Sequence, residues 1–206
     1  MREAMTHDQD ALPRRLGDLQ TPCLVLDRGK LAHNIAAMAR AVARHGVALR
    51  PHMKTAKSAE VARLAVAGQQ GGITVSTLAE VEYFAAAGFR DILYAVGITA
   101  SKLDRATALR QDGVDLKLVT DDPETAGAIA AHARACGVTH RVLVEVDCGE
   151  HRGGMAVESE TLLAVGRALG PLCAGVMTHA GHSYACRSIE EIEAVAEAER
   201  LAAVTA

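Results

Sequence analysis

Seven short apolar runs separated by segments of helical length constrain this chain more than any other feature. The runs are Cys23–Leu26, Val47–Leu49, Gly72–Val75, Ile92–Val96, Leu116–Val119, Val142–Val146 and Cys173–Met177. Most are continuously apolar, the pattern of strands buried on both faces of a parallel sheet. The segments between them carry helix signals. Leu31, Ile35, Met38 and Val42 recur at helical spacing after Asp27, a suitable N-cap. Thr77-Leu-Ala-Glu80 and Ser188-Ile-Glu-Glu191 read as capping boxes. Asp122-Pro123 places a cap before a proline at the first helical position. Gly88, Gly113 and Gly137 stand where helices should stop. The unit of helix, glycine, loop and strand recurs about every 25 residues, the rhythm of βα repeats. The fold class predicted is α/β, with a (β/α)8 barrel of the TIM type preferred to a doubly wound sheet. A full barrel needs eight units and about 250 residues. This chain has 206 residues and ends within the helix begun near Ser188, so it reads as a truncated barrel.

Composition narrows the function. Half of the residues are hydrophobic but only 2% are aromatic, so the core must be built from aliphatic side chains. A net charge of −3 provides no basic footprint for nucleic acid or an anionic membrane. No apolar run approaches the roughly 18 residues of a membrane span. Residues 1–18 are polar and unlike a signal peptide, so a cytoplasmic location is expected. The five cysteines are odd in number and form no Cys-x-x-Cys pair, which argues against a disulfide framework and a structural zinc site.

Three stretches are candidates for chemistry. In Val47-Ala-Leu-Arg-Pro-His-Met-Lys54-Thr-Ala-Lys57 a lysine stands just beyond a buried run, in a chain with only five lysines. The carboxyl ends of strands are where α/β proteins keep their chemistry. An amine there can form a Schiff base if its surroundings lower its pKa or a carbonyl cofactor captures it. In Val142-Leu-Val-Glu-Val-Asp-Cys-Gly-Glu-His-Arg-Gly-Gly154 a strand runs into a glycine-rich turn holding Arg152, a guanidinium able to pair with a cofactor nitrogen, a phosphate or a carboxylate. Glu145 and Asp147 alternate on that strand and would share one face. In Gly175-Val-Met-Thr-His179-Ala-Gly-His182-Ser-Tyr184-Ala-Cys186 two histidines and a rare tyrosine crowd the end of another run. His179, His182 and Cys186 are zinc ligands by type, but stacking, hydrogen bonding or acid/base work suits the loop better. Ser76-Thr77-Leu-Ala-Glu80 reads as helix capping.

Taken in order, Arg50-Pro-His-Met-Lys54-Thr-Ala-Lys57, Thr77-Leu-Ala-Glu80, Glu145-Val-Asp-Cys-Gly-Glu-His-Arg152-Gly-Gly and Thr178-His-Ala-Gly-His-Ser-Tyr184 resemble the D-serine dehydratase/D-threonine aldolase family. These are pyridoxal-phosphate enzymes with an alanine-racemase-like barrel. The resemblance runs from about Thr21 to the last residue. It implies that Lys54 is the catalytic Schiff-base lysine, that Arg152 faces the pyridine nitrogen, that His179 stacks on the cofactor ring, and that Tyr184 lies near the cofactor's phosphate or phenolic oxygen. Where many relatives have histidine this chain has Ala56. The resemblance also implies an N-terminal extension over residues 1–20, a partial barrel over 21–206 with about six barrel strands, and a C-terminal β domain lying outside these residues. Cys23–Leu26 would belong to that second domain. The domain would supply a zinc or manganese site, so no metal ligand is assigned here. The implied activity is lysis of a D-3-hydroxy amino acid, by dehydration or retro-aldol cleavage, with dehydration of D-serine preferred. The complete protein would be a homodimer. A non-catalytic pyridoxal-phosphate carrier and an inactive fragment are the alternatives.

Overall fold

The computed structural model describes residues 15–206. Seven helices and five strands follow one another as α1 (Arg28–His45), α2 (Ala59–Val66), β1 (Ile73–Val75), α3 (Leu78–Ala86), β2 (Asp91–Gly97), α4 (Leu103–Gln111), β3 (Asp115–Thr120), α5 (Pro123–Cys136), β4 (Arg141–Val146), α6 (Glu160–Leu169), β5 (Cys173–Thr178) and α7 (Ile189–Thr205). All strands are parallel and lie in sequence order, β1-β2-β3-β4-β5. Neighbours in sequence being neighbours in space is the topology of a (β/α) barrel wall, since a doubly wound sheet would reverse its order.

The helix starts follow the local chemistry. Asp27 accepts from the Lys30 backbone at 2.9 Å, and Asp122 from Thr125 at 2.6 Å with Pro123 at the first turn. Thr77 and Glu80 form a reciprocal capping box. At Ser188 only half of the expected box forms: Ser188 receives the Glu191 N–H, while Glu191 takes the N–H of Arg187. Gly137 closes α5 with φ 65°, a left-handed value that glycine adopts without strain.

Two of the seven apolar runs are not strands. Cys23–Leu26 forms no ladder, and Leu24 is 96% exposed. Val47–Leu49 is also irregular. Pairing beside β1 starts later, where Thr74 N donates to Pro51 O at 2.9 Å and Met53 N to Thr74 O at 2.8 Å, giving one bridge at His52. Proline cannot donate, so the ladder is confined to one side of Pro51. The chain still passes close: a Cβ at Gly72 would collide with the carbonyl of Asp91, which is why β1 begins after two glycines.

Burial is continuous in β1 and nearly so in β3, as the apolar runs predicted. In β4 it alternates instead. Val142, Val144 and Val146 are buried against the helices, whereas Leu143 and Glu145 are half-exposed on the inner face. The core is aliphatic apart from Phe84 and Tyr94, both essentially inaccessible. The helix α1, by contrast, contains no buried residue.

Candidate functional site

The carboxyl ends of β1, β2 and β5 and the loops after His52 and β4 surround a cavity of about 390 Å³. That volume falls within the usual range for small-molecule and cofactor sites. Its lining includes Lys54, His52, Ser76, Arg152 and His179. A hollow of about 640 Å³ between α1 and α2 is larger, but aliphatic side chains such as Leu31, Ile35 and Leu64 line most of it, with Arg28 and Glu60 its charged residues.

Lys54 is placed by what precedes it. Met53 is 3% exposed and bonded to β1, so the next residue is thrown outward at the rim. The Lys54 backbone N–H donates to His52 Nδ1 at 3.3 Å. Burial, followed by the Lys54 charge, lowers the His52 pKa, so the ring is neutral near pH 7. With Nδ1 accepting, the proton sits on Nε2, which donates to Ser76 Oγ at 3.3 Å. The Ser76 hydroxyl, itself on the cavity lining, is thereby left with a proton to donate. Ser76 is held from its other side: Glu80 Oε2 accepts the Ser76 N–H at 2.7 Å. The same carboxylate binds Lys57 Nζ at 3.1 Å through its other oxygen. Burial would raise the Glu80 carboxyl, but these partners hold it below the usual carboxylate range. Of the two lysines in the motif, Lys57 is thus consumed by the scaffold and Lys54 is not.

Arg152 rides on a tight turn. Asp147 Oδ1 accepts the backbone N–H groups of Gly149 at 2.9 Å and His151 at 3.1 Å, and its Oδ2 bonds His151 Nδ1 at 2.6 Å. Burial pushes Asp147 up, but those hydrogen bonds prevail and hold its carboxyl below the usual carboxylate range. The turn closes where Met155 bridges to Val146, and Gly154 (φ 85°) is obligatory there, because a Cβ would come 2.7 Å from the Asp147 nitrogen. Glu145 lies behind this turn, its carboxyl raised by burial and by Asp121 and lowered by Arg152. Among the described residues, neither Lys54 Nζ nor the Arg152 guanidinium forms an ion pair with a carboxylate.

His179 ends β5. Its Nδ1 is 2.6 Å from Glu150 Oε2, and Cys148 Sγ donates to its carbonyl at 3.4 Å. The structure therefore brings Lys54, Arg152 and His179 to one cavity. It does not bring Tyr184 there: that side chain is 82% exposed, on the helical turn Gly181–Ala185. No cluster of three or more metal-ligating side chains occurs among the described residues. His52, Ser76 and Glu150 are contributors that the sequence reading left without a role. His52 and Glu150 stand inside the motifs of Lys54 and Arg152, and that adjacency was the available signal. Ser76 was hidden by its place next to a helix cap.

Residues 26–206 match the family described as alanine racemase, N-terminal domain. The chain is 46% identical over 192 residues to D-threo-3-hydroxyaspartate dehydratase of Delftia sp. (strain HT23), covering 91% of this chain and 50% of that protein. The solved structure of that dehydratase superposes with a TM-score of 0.87 over 91% of this chain and 51% of its own, and a mutant of it is described as being in a metal-free form. An Ala racemase-like protein from Idiomarina loihiensis superposes with a TM-score of 0.89 at 38% identity, over 95% of this chain and 52% of the other. D-serine dehydratase of Dictyostelium discoideum is 30% identical, covering 88% of this chain and 50% of its own length. The chain spans about half the length of these relatives. No helix is long and apolar enough to cross a membrane among the described residues.

Proposed function

The chain belongs to the alanine racemase N-terminal domain family, and we propose that it is the cofactor-holding part of a pyridoxal-phosphate lyase for D-3-hydroxy amino acids. One observation carries this reading: an amine and a guanidinium without carboxylate partners converge with an imidazole on one cavity at the carboxyl ends of parallel strands. Such a donor set fits a planar, anionic aldehyde. Lys54 would hold the cofactor through its amine, Arg152 would face its ring as a permanent cation, and His179 would lie against it. Tyr184 would join them only if its loop turned inward.

When bound, the cofactor supplies an electron sink for the electrons released at the substrate α-carbon. Everything else is the work of this chain. Lys54 Nζ would also be available as a base for the substrate α-proton. The Ser76 hydroxyl offers a hydrogen bond from the wall. His52 is committed to Ser76 through Nε2–H and keeps that donor aimed.

Loss of the α-proton followed by loss of hydroxide from the β-carbon gives dehydration, whereas cleavage between the α- and β-carbons gives the aldolase outcome. Identity of 46% to a 3-hydroxyaspartate dehydratase, against 32% to a 3-hydroxy-D-aspartate aldolase, supports dehydration, and the 30% identity to a D-serine dehydratase makes D-threo-3-hydroxyaspartate the first substrate to assay, ahead of D-serine. A divalent metal at the substrate hydroxyl would come from outside the described residues.

The test begins with binding. The protein is incubated with pyridoxal phosphate, reduced with borohydride and mapped by peptide mass spectrometry. The pyridoxyl group is expected on Lys54. Its appearance on Lys30, Lys57, Lys102 or Lys117 instead, or on none, overturns the assignment. Assays of D-threo-3-hydroxyaspartate, D-serine and D-threonine with zinc or manganese, following ammonia and glycine, then separate dehydratase from aldolase. Binding without turnover of any of them would count against lyase activity of this chain and leave the carrier and the inactive fragment as its readings.

A further inference from the structure

Glu150 and His179 are 29 positions apart, on the loops that follow β4 and β5. One carboxylate oxygen, Glu150 Oε2, accepts both the Nδ1–H of His179 at 2.6 Å and the backbone N–H of Gly181 at 3.2 Å. Gly181 is buried, and a Cβ there would collide with both the Glu150 carboxylate and the His179 ring. Only glycine at 181 leaves the carboxylate room to reach the imidazole. The hydrogen bond from His179 holds the Glu150 carboxyl below the usual carboxylate range, so the acceptor is anionic at neutral pH. With Nδ1 committed as donor to it, Nε2 is the ring nitrogen left for other partners. The His179 backbone is tied separately, through its carbonyl, to Cys148 Sγ.

We propose that Glu150 is the positioning residue of His179: through Nδ1 it holds the imidazole against the cavity wall in a single tautomer and orientation, with Gly181 completing the clamp. The cofactor-holding consequence rests on the reading of the cavity given above; the tautomer does not. A partner that locks an imidazole's tautomer and orientation preorganises it for its ligand, and one charge-assisted hydrogen bond is worth about tenfold in affinity.

The experiment uses the full chain with 15N-labelled histidine, His179 being assigned by difference with His179→Asn. In the cofactor-free protein the ring nitrogens should report the Nδ1–H tautomer. Glu150→Ala should shift His179 toward Nε2–H and weaken pyridoxal-phosphate uptake, read by borohydride trapping on Lys54, by about tenfold. Glu150→Gln keeps an acceptor oxygen, and should retain the tautomer and lose no more than about threefold in uptake. Gly181→Ala, which displaces the carboxylate without removing it, should reproduce the Glu150→Ala tautomer and guards against a Glu150→Ala chain that fails to fold. An unchanged His179 tautomer in both Glu150→Ala and Gly181→Ala overturns the proposal, as does a Glu150→Gln variant as impaired as Glu150→Ala. A wild-type chain that traps no cofactor overturns the reading of the cavity instead, with the tautomer still deciding the role of Glu150.

Discussion

The two ends of the same sheet are both rich in charge, and they use it in opposite ways. At the amino ends of β2, β3 and β4, Lys117 is sandwiched between Asp91 and Asp115, the latter at 2.8 Å. Arg110 and Arg141 reach Asp115 at 3.2 and 3.0 Å, and Arg50 reaches Asp91 at 2.7 Å. Each of these four cations has an acid. Burial would raise the Asp91 carboxyl, yet hydrogen bonds from Arg50 and Lys117 bring it down to about 2. At the carboxyl ends, Lys54 and Arg152 form no ion pair among the described residues, though Arg152 is near enough to lower the Glu145 carboxyl, and both open onto a cavity. Charge compensated from within serves the fold, because a buried ion is tolerable only when paired. Charge left uncompensated at a concave surface serves a ligand. Arg50 touches both regions, its guanidinium on Asp91 and its flank on the cavity wall.

That contrast can be broken most sharply at Lys54. Lys54→Ala should abolish the borohydride-trapped cofactor altogether while shifting urea stability by no more than about 0.5 kcal/mol, as for an exposed substitution. A trapped adduct that persists at another lysine would move the site elsewhere.

The next effect lies at the amino end. His140 precedes β4, is fully buried, and bonds only Thr107 through Nε2, at 3.1 Å. Burial, then the charges of Arg110 and His132, push its pKa down from 6.5 to about 4. The unfolded chain therefore binds the proton more readily, and stability present above pH 6.5 should decline by up to about 3 kcal/mol as pH falls to 4. His140→Gln should flatten denaturation midpoints over that window. The depressed Asp91 carboxyl adds a separate loss, between about pH 4 and pH 2, which the His140 substitution should leave in place.

Asp115→Ala strips a carboxylate from three cations. Full burial would make this cost about 3–5 kcal/mol, but Asp115 is partly exposed and Lys117 keeps Asp91, so about 2 kcal/mol is expected, with cofactor trapping unaltered. Arg152→Ala should do the reverse, leaving the melting curve in place and weakening cofactor uptake by about tenfold, the worth of one charge-assisted hydrogen bond. If Arg152→Ala instead destabilised the chain as much as Asp115→Ala, the distinction between the two ends would fail. The smallest effect belongs to Lys57→Ala. Its loss should cost less than about 1 kcal/mol and leave trapping on Lys54 intact, since Glu80 retains its backbone donors.

The βα rhythm was legible because it is local. Asp27, Thr77, Asp122 and Gly137 each act on atoms a few residues away, and each marked an element end correctly. Val47–Leu49 is apolar yet irregular, and Cys23–Leu26 pairs with nothing among the described residues, because strand formation requires a neighbour, which composition does not reveal. In β4 the apolar run hid an alternation, because the inner face of this sheet is only half covered. Lys54, Arg152 and His179 could be picked out as single residues at strand ends, and Tyr184 by the same logic was placed with a cavity it does not line.

By itself, then, the sequence determined the repeating unit, the parallel sheet and the three strand-end loops that bear chemistry, since periodicity, caps and turns are encoded over a few residues. The tertiary structure alone decided which charges are answered. Lys57 and Lys54 are three residues apart and chemically identical, yet one is claimed by Glu80 across the next loop and the other is left to the cavity. Glu150 finds His179 across 29 residues for the same reason. A pairing between distant side chains depends on the register of parallel strands and the aim of their turns, and neither is written in any short stretch of chain.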